Sequence, residues 1–180
     1  ATVLVAFGAH FSAVWIVVAN SWQQTPAGFH IVGSGMDARA EIVDFWAMVF
    51  NPSSMDRLVH TILACWLAGT FLVISISAYY LLKRRHLPFA KASLKIGLVV
   101  AAATTLLQFW SADETARGVA ENQPEKFAAM EGLAETSSAA PLALGGWVSW
   151  ERDDEGNITG IDENSVKVPA LLSVLVSGNF

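Results

Sequence analysis

Residues 58–82 read LVHTILACWLAGTFLVISISAYYLL, a continuous stretch without a charged side chain. Residues 1–19 and 96–112 are also uncharged, in a chain of 180 residues that is 53% hydrophobic. A helix needs roughly 20 apolar residues to cross a bilayer, and each stretch is close to that length. A water-soluble protein of 180 residues could not enclose three entirely apolar helices. The pattern therefore predicts an all-α membrane protein, part of a larger helical bundle, with transmembrane helices at 1–20, 52–82 and 96–112.

The charged residues between these stretches predict an orientation. Residues 83–95 contain five Lys or Arg and no acid, whereas the tail after Trp110 contains twelve acids against four bases. Because cationic loops stay in the cytoplasm, we expect 83–95 to be a cytoplasmic loop. The loop at 21–51 and the region at 113–180 are then external, which places His60 near the outer end of its helix.

Two features of the 21–51 loop predict local structure. Residues 36–50 (MDARAEIVDFWAMVF) carry apolar side chains at 42, 45, 46, 49 and 50 with acids between them. This spacing predicts an amphipathic helix that lies at the membrane surface. Asn51 is then expected to cap the next helix and Pro52 to open it.

The external region at 113–180 is predicted to be mixed. Pro124 is expected to begin a short helix within 121–135, and residues 153–157 to form an exposed turn. Around that turn, 141–167 is expected to be irregular, and its Trp147 and Trp150 could serve as a docking surface or as interface anchors. The apolar residues 168–180 are too few to span a membrane, and they predict either the start of a surface helix or the lead-in to a further helix.

His60 is the polar side chain that most needs explanation, since it lies early in an apolar helix. A neutral imidazole in that setting requires a hydrogen-bond partner or a metal. Its helical neighbours Ala64 and Ala68 are small, so a flat macrocycle could lie against that face. The alternative is a core histidine bonded to a facing helix. His10, in the first apolar stretch, is interpreted as a packed or hydrogen-bonded histidine.

Four stretches of the sequence, taken in order, resemble subunit I of the cytochrome bd-type quinol oxidases. They extend over nearly the whole chain, and it is their order and spacing that make the resemblance specific. They are FSAVWIVVANSWQQTP (11–26), VFNP (49–52) with VHT (59–61), 69–85 with FAK (89–91), and QPEKFAAME (123–131).

The resemblance implies roles for four residues. His60 corresponds to an axial ligand of the iron of a low-spin haem b on the outer side, and the second ligand in the family is a methionine from a later helix. Lys126 and Glu131 correspond to residues of the quinol-binding loop. Ser12 corresponds to a serine associated with a proton route, although a serine on a membrane helix commonly bonds the carbonyl one turn back.

The resemblance also implies a quinol:oxygen oxidoreductase of the bacterial inner membrane. Its electrons would come from ubiquinol or menaquinol and pass through the haem at His60 to oxygen-reducing haems held elsewhere in the complex. The partners are then quinol, other segments or subunits of the oxidase, and the lipid bilayer, with no nucleic acid. Because the chain starts at Ala1 without an initiator Met, we expect a fragment of a longer subunit that is inactive alone.

Alternatives stay open for the function and for the quinol residues. The chain could be a non-redox membrane module, such as a transporter fragment or an assembly subunit, in which His60 is structural. A small two-haem cytochrome b is disfavoured, because the other helices offer only His10 as a ligand. Lys126 and Glu131 could be surface charges, but their spacing of five puts them about 140° apart on a helix, which is unsuited to an intrahelical ion pair.

Overall fold

The structure is a computed structural model that describes residues 1–133, 138–156 and 158–177, without the side chains of 148–150 and 158–163. The chain forms two compact units, Ala1–Gly118 and Val119–Phe180. The elements in order are α1 (Thr2–Gln24), β1 (Phe29–Val32), β2 (Arg39–Ile42), α2 (Phe45–Val49), α3 (Ser54–Leu82), α4 (Leu87–Asn122), α5 (Pro124–Glu131), β3 (Leu142–Arg152), β4 (Ile158–Val168) and α6 (Leu171–Ser177).

The three apolar stretches lie in the three long helices α1, α3 and α4. By length and composition, each of the three is able to cross a membrane. Only 11%, 6% and 17% of their most apolar segments are buried within the chain. Apolar surface of this extent is stable when lipid or other apolar helices cover it. The predicted fold class, a helical membrane protein with three spanning helices, is confirmed.

The link between α3 and α4 is shorter than the predicted loop at 83–95. α4 begins at Leu87, so only residues 83–86 lie between the helices. Arg84 and His86 adopt positive φ angles of 52° and 46°, which turn the chain sharply between the two helices. Pro88 falls in the first turn of α4, where its missing N–H costs no helical hydrogen bond. The remaining basic residues of the predicted loop therefore lie on the first turns of α4.

The prediction of an amphipathic helix at 36–50 is wrong for its first nine residues, 36–44. Residues 29–32 and 39–42 form an antiparallel hairpin, and only Phe45–Val49 is helical. Gly33 allows the turn, because it has a φ of 86° and a Cβ there would lie 2.5 Å from the Asp37 carbonyl oxygen. The helix starts late because the Asp44 side chain accepts a hydrogen bond from the Ala47 N–H. Strand pairing thus overrides the helical period of the apolar residues.

Buried polar side chains join the end of α1 to the start of α3. Thr25 Oγ1 lies 2.9 Å from Ser53 Oγ and 3.1 Å from Asn51 Oδ1. Asn51 Nδ2 donates to Ser21 Oγ at 3.0 Å, and Ser21 and Asn51 are 0% and 3% exposed. Asn51 does not cap α3 as predicted. Its Oδ1 accepts from the N–H of Ser53, the residue that precedes the helix, and Pro52 lies in that turn.

The second unit contains α5, the β3–β4 hairpin and α6. α5 begins at Pro124 as predicted, and it ends at Gly132, whose φ of 68° is the left-handed conformation of a helix C-terminus. The region expected to be irregular is instead an antiparallel hairpin with strands of 11 residues. Of the turn predicted at 153–157, the structure describes 153–156, where the chain turns and the Glu155 N–H is bonded to Asp153 Oδ1. Period-two alternation is weak in these strands, which is why the sequence did not indicate them.

Candidate functional site

His60 lies six residues after the start of α3 and is half-buried against α4. The side-chain nitrogen of Gln108 lies 3.1 Å from His60 Nδ1 and 3.0 Å from His60 Nε2. Ser111 Oγ lies 3.4 Å from Nδ1. The amide nitrogen is nearly equidistant from both ring nitrogens, so these distances do not select one of the two as its hydrogen-bond partner. The contact to a facing helix, which was the alternative interpretation of this histidine, is therefore present.

A cleft of about 290 Å³ opens beside the imidazole, where α1, α3 and α4 meet. Arg57 lies in this cleft, and its guanidinium donates to Gln24 Oε1 at 2.8 Å and to Asn20 Oδ1 at 3.5 Å. Both acceptors are neutral amides, so neither of them neutralises the positive charge of Arg57 in the cleft. The cleft is lined by Ile16, Val17, Asn20, Arg57, His60, Thr61 and Thr115.

The residues around His60 fit one side of a haem. Within the described ranges, no three His, Cys, Asp or Glu side chains come together to hold a metal. A haem iron takes a single imidazole from a protein on one side, so His60 could supply that ligand. Ala64 and Ala68, about one and two turns after His60, are small and exposed on α3. A flat apolar group can approach this part of α3 without displacing side chains.

His10 has both of its ring nitrogens engaged. Nδ1 lies 2.8 Å from the Ala6 carbonyl oxygen, and Nε2 accepts a hydrogen bond of 2.8 Å from the Trp66 indole. The carbonyl requires a donor, so the proton is on Nδ1 and the Nε2 lone pair faces the indole N–H. The interpretation of His10 as a hydrogen-bonded histidine is confirmed.

Lys126 and Glu131 lie at opposite ends of α5, a helix of eight residues in the second unit. Lys126 is exposed in the first turn and Glu131 is half-buried at the last position. The amino end of a helix is electropositive and its carboxyl end electronegative, so each charge has the sign that the helix dipole disfavours. Glu125, in the first turn, has the favoured sign. The dipole of α5 therefore favours neither Lys126 nor Glu131 at its position.

Ser12 is exposed on α1 and does not line the cleft at His60. Within the described part of the chain its hydroxyl makes no hydrogen bond to the carbonyl one turn back, whereas Ser21 bonds the Val18 carbonyl on the same helix. The proton-route role of Ser12 stays a prediction.

Sequence reasoning missed the residues that surround His60. Gln108 and Ser111 fall within the uncharged stretch 96–112, and Arg57 directly precedes the stretch 58–82, so hydropathy gives none of the three a role. A signal was present for Gln108, because an amide inside an apolar membrane helix is costly without a partner. Its partner, however, could not be read from the sequence, since His60 lies 48 residues away.

Comparison with known proteins gives a consistent result. The sequence matches the family described as "Cytochrome bd terminal oxidase subunit I" over residues 1–180. It is 39% identical over 177 residues to the cytochrome bd-II ubiquinol oxidase subunit 1 of Escherichia coli, covering 98% of this chain and 33% of that protein. It is 35% identical over 188 residues to a putative cytochrome bd menaquinol oxidase subunit I of Bacillus subtilis, covering 100% of this chain and 39% of that protein.

A solved structure is similar as well. The bd oxidase from Geobacillus thermodenitrificans matches with a TM-score of 0.78 and 28% identity, over 97% of this chain and 38% of that one. The chain therefore spans between 33% and 39% of the length of these relatives.

Proposed function

The chain belongs to the cytochrome bd terminal oxidase subunit I family, and on that premise we propose that it forms part of a membrane-bound quinol:oxygen oxidoreductase. In this proposal, His60 is an axial ligand of a low-spin haem b, and Lys126 and Glu131 bind quinol and assist its oxidation. The oxygen-reducing haems belong to other segments or subunits of the complex.

The observation that carries the haem assignment is the position of His60 beside the cleft. The imidazole lies between apolar side chains of α1 and the polar side chains of α4, and the positive charge of Arg57 is one turn earlier on α3. Bound haem would supply a one-electron carrier, and its carboxylate side groups suit a cationic neighbour. His60 would hold the iron through one ring nitrogen, while the other would bond α4.

Support for the quinol assignment comes from the charges of α5. Oxidation of a quinol releases two electrons and two protons, so a site needs a proton acceptor and a donor for the headgroup oxygens. Glu131 offers a carboxylate and Lys126 an ammonium group, and both oppose the helix dipole. A carboxylate that opposes the dipole of its own helix, as Glu131 does, fits the trade-off between stability and activity at a functional site. Ubiquinol and menaquinol both occur in the names of the relatives, and we propose quinol as the class.

We also propose an orientation in the bacterial inner membrane. The basic residues between 83 and 95 are all exposed and would face the cytoplasm, with 113–180 outside. Ser12 is proposed as an element of a proton route, on the family resemblance alone. Protease added to intact spheroplasts should cut within 113–180 and spare 83–95. Cleavage at the basic segment with protection of the tail would overturn the orientation.

An optical spectrum of the purified membrane complex tests the function. The proposed oxidase should show the absorption band of reduced haem b after dithionite is added. Added quinol should also convert the haem to its reduced form and increase the same band. A non-redox membrane module would show no reducible haem. A complex that lacks the haem b band would therefore overturn the proposal in favour of that alternative.

A further inference from the structure

Gln108 has a buried side-chain oxygen that makes no hydrogen bond within the described part of the chain. The nitrogen of the same amide lies 3.1 Å from Nδ1 and 3.0 Å from Nε2 of His60. The amide therefore faces the imidazole with a donor, while its acceptor has no partner. In apolar surroundings, such an unpaired carbonyl carries a desolvation cost.

We propose that Gln108 is a positioning residue that accepts a hydrogen bond from Nδ1 of His60, and that it thereby sets the tautomer of His60 and the reduction potential of the haem. This inference rests on the proposed function, because it requires that His60 ligates the haem. It concerns a residue of α4 for which neither the sequence pattern nor the family resemblance implied a role.

The chemistry of imidazole leads to this assignment. A neutral imidazole has one N–H and one lone pair, and a histidine that gives its lone pair to a metal carries the proton on its other nitrogen. That N–H needs an acceptor, which in metal sites is usually a carboxylate, a carbonyl or water. A half-turn of the Gln108 amide exchanges its oxygen and nitrogen within nearly the same volume. The half-turn gives Nδ1–H an acceptor and the Gln108 oxygen a donor, and the amide nitrogen then takes the buried position that the oxygen held.

Ser111 is the other polar side chain of α4 that contacts the ring. Its hydroxyl lies 3.4 Å from Nδ1, which is long for a hydrogen bond, and it does not contact Nε2 within hydrogen-bond distance. The contact favours Nδ1 as the nitrogen that faces α4, which leaves Nε2 for the iron. The shorter distance makes Gln108 the principal partner of His60 and Ser111 the secondary one.

A hydrogen bond from Nδ1–H raises the electron density on the imidazole, so it favours oxidised over reduced iron. Removal of the acceptor should therefore raise the potential of haem b. Gln108→Met keeps the length of the side chain and removes the acceptor. Gln108→Glu keeps the length of the side chain and an acceptor oxygen. The potential of haem b in this variant should be equal to or lower than that of the wild type.

The experiment is a spectroscopic redox titration of haem b in the purified complex. At the midpoint potential of the wild type, Gln108→Met should raise the ratio of reduced to oxidised haem by about threefold or more, the size expected for one neutral hydrogen bond. Ser111→Ala should raise the ratio of reduced to oxidised haem by a smaller factor. Thr104→Val is the matched control, because Thr104 is buried one turn earlier on α4 and makes no hydrogen bond to His60. It should leave the ratio unchanged.

The outcomes separate the inference from the proposed function. A Gln108→Met complex with normal haem content and an unshifted potential would overturn the inference alone, as would equal shifts in Gln108→Met and Thr104→Val. A wild-type complex without haem b would overturn the proposed function and the inference with it. If Gln108→Met does not accumulate, Gln108→Asn withdraws the amide by one methylene and should raise the potential in the same way.

Discussion

His60 is held by contacts between helices that are far apart in sequence, whereas Lys126 and Glu131 lie on one helix of eight residues. The first site exists only when α1, α3 and α4 pack together. The second depends on local structure, from a proline that begins the helix to a glycine that ends it. The positions of Lys126 and Glu131 are thus specified by neighbouring residues, whereas the partners of His60 come from distant parts of the sequence. Substitutions at the two sites should therefore impair the protein in different ways.

The largest expected effect is at His60. His60→Ala should abolish the low-spin haem b band in the reduced-minus-oxidised spectrum, because the iron loses an axial ligand. α3 should still insert, since loss of one imidazole makes the helix more apolar. His10→Ala is the matched control on α1 and should keep the band. If His60→Ala retained a normal haem b spectrum, the ligand assignment would be wrong.

A large but selective effect is expected on α5. Lys126→Ala and Glu131→Ala should each lower kcat/KM for quinol by about tenfold or more, because a charged hydrogen bond is worth roughly 1.5–3 kcal/mol. Haem content should stay normal, and so should oxygen consumption with an artificial donor that bypasses quinol.

Glu125→Ala provides the control for this prediction, since Glu125 is an exposed charge in the first turn of the same helix. It should change quinol oxidation less than twofold, within the usual scatter of surface substitutions. Equal losses with both electron donors would mean that the α5 variants disturb the fold. Quinol activity within about twofold of normal in those variants would show that the two residues are ordinary surface charges.

A smaller effect is expected at Asn51, between α1 and α3. Its substitution should lower the stability of the packed helices without affecting α5. Asn51→Ala removes the hydrogen bonds that this side chain makes to Ser21 and Thr25, and it removes the acceptor of the buried Ser53 N–H. We expect a loss of roughly 1–3 kcal/mol in stability, seen as a lower melting temperature of the purified complex. Gln23→Ala, at an exposed position of α1, should leave the melting temperature unchanged. An Asn51→Ala protein as stable as the wild type would show that this cluster does not hold α1 to α3.

The smallest effect concerns the dipole of α5. Glu131→Gln removes a negative charge from the electronegative end of the helix, so it should stabilise α5 by roughly 0.3–1 kcal/mol. Amide hydrogen exchange within Pro124–Glu131 should become slower, while quinol oxidation falls. Faster exchange in the variant would show that the carboxylate stabilises its own helix, and it would remove the argument that α5 tolerates this charge for a ligand.

The spanning helices and the start of α5 followed from the sequence alone. A bilayer core has no water to satisfy charges or backbone groups, so a long uncharged stretch specifies a helix without reference to the rest of the chain. Pro124 and Gly132 act just as locally, because each restricts the backbone at its own position. His60 could also be selected in this way, since an imidazole in such a stretch needs a partner whatever the fold.

The hairpin at 29–42 and the surroundings of His60 were decided only by the tertiary structure. Phe29 pairs with Ile42 across a glycine turn, and the apolar spacing of 42–50 suited a helix equally well. Gln108 reaches His60 across 48 residues, and Arg57 finds its partner on α1 33 residues earlier. Contacts of this kind depend on how the helices pack and rotate against each other, and hydropathy does not record that rotation. The sequence alone was therefore sufficient to select His60, whereas the packing of the helices determined its hydrogen-bond partners.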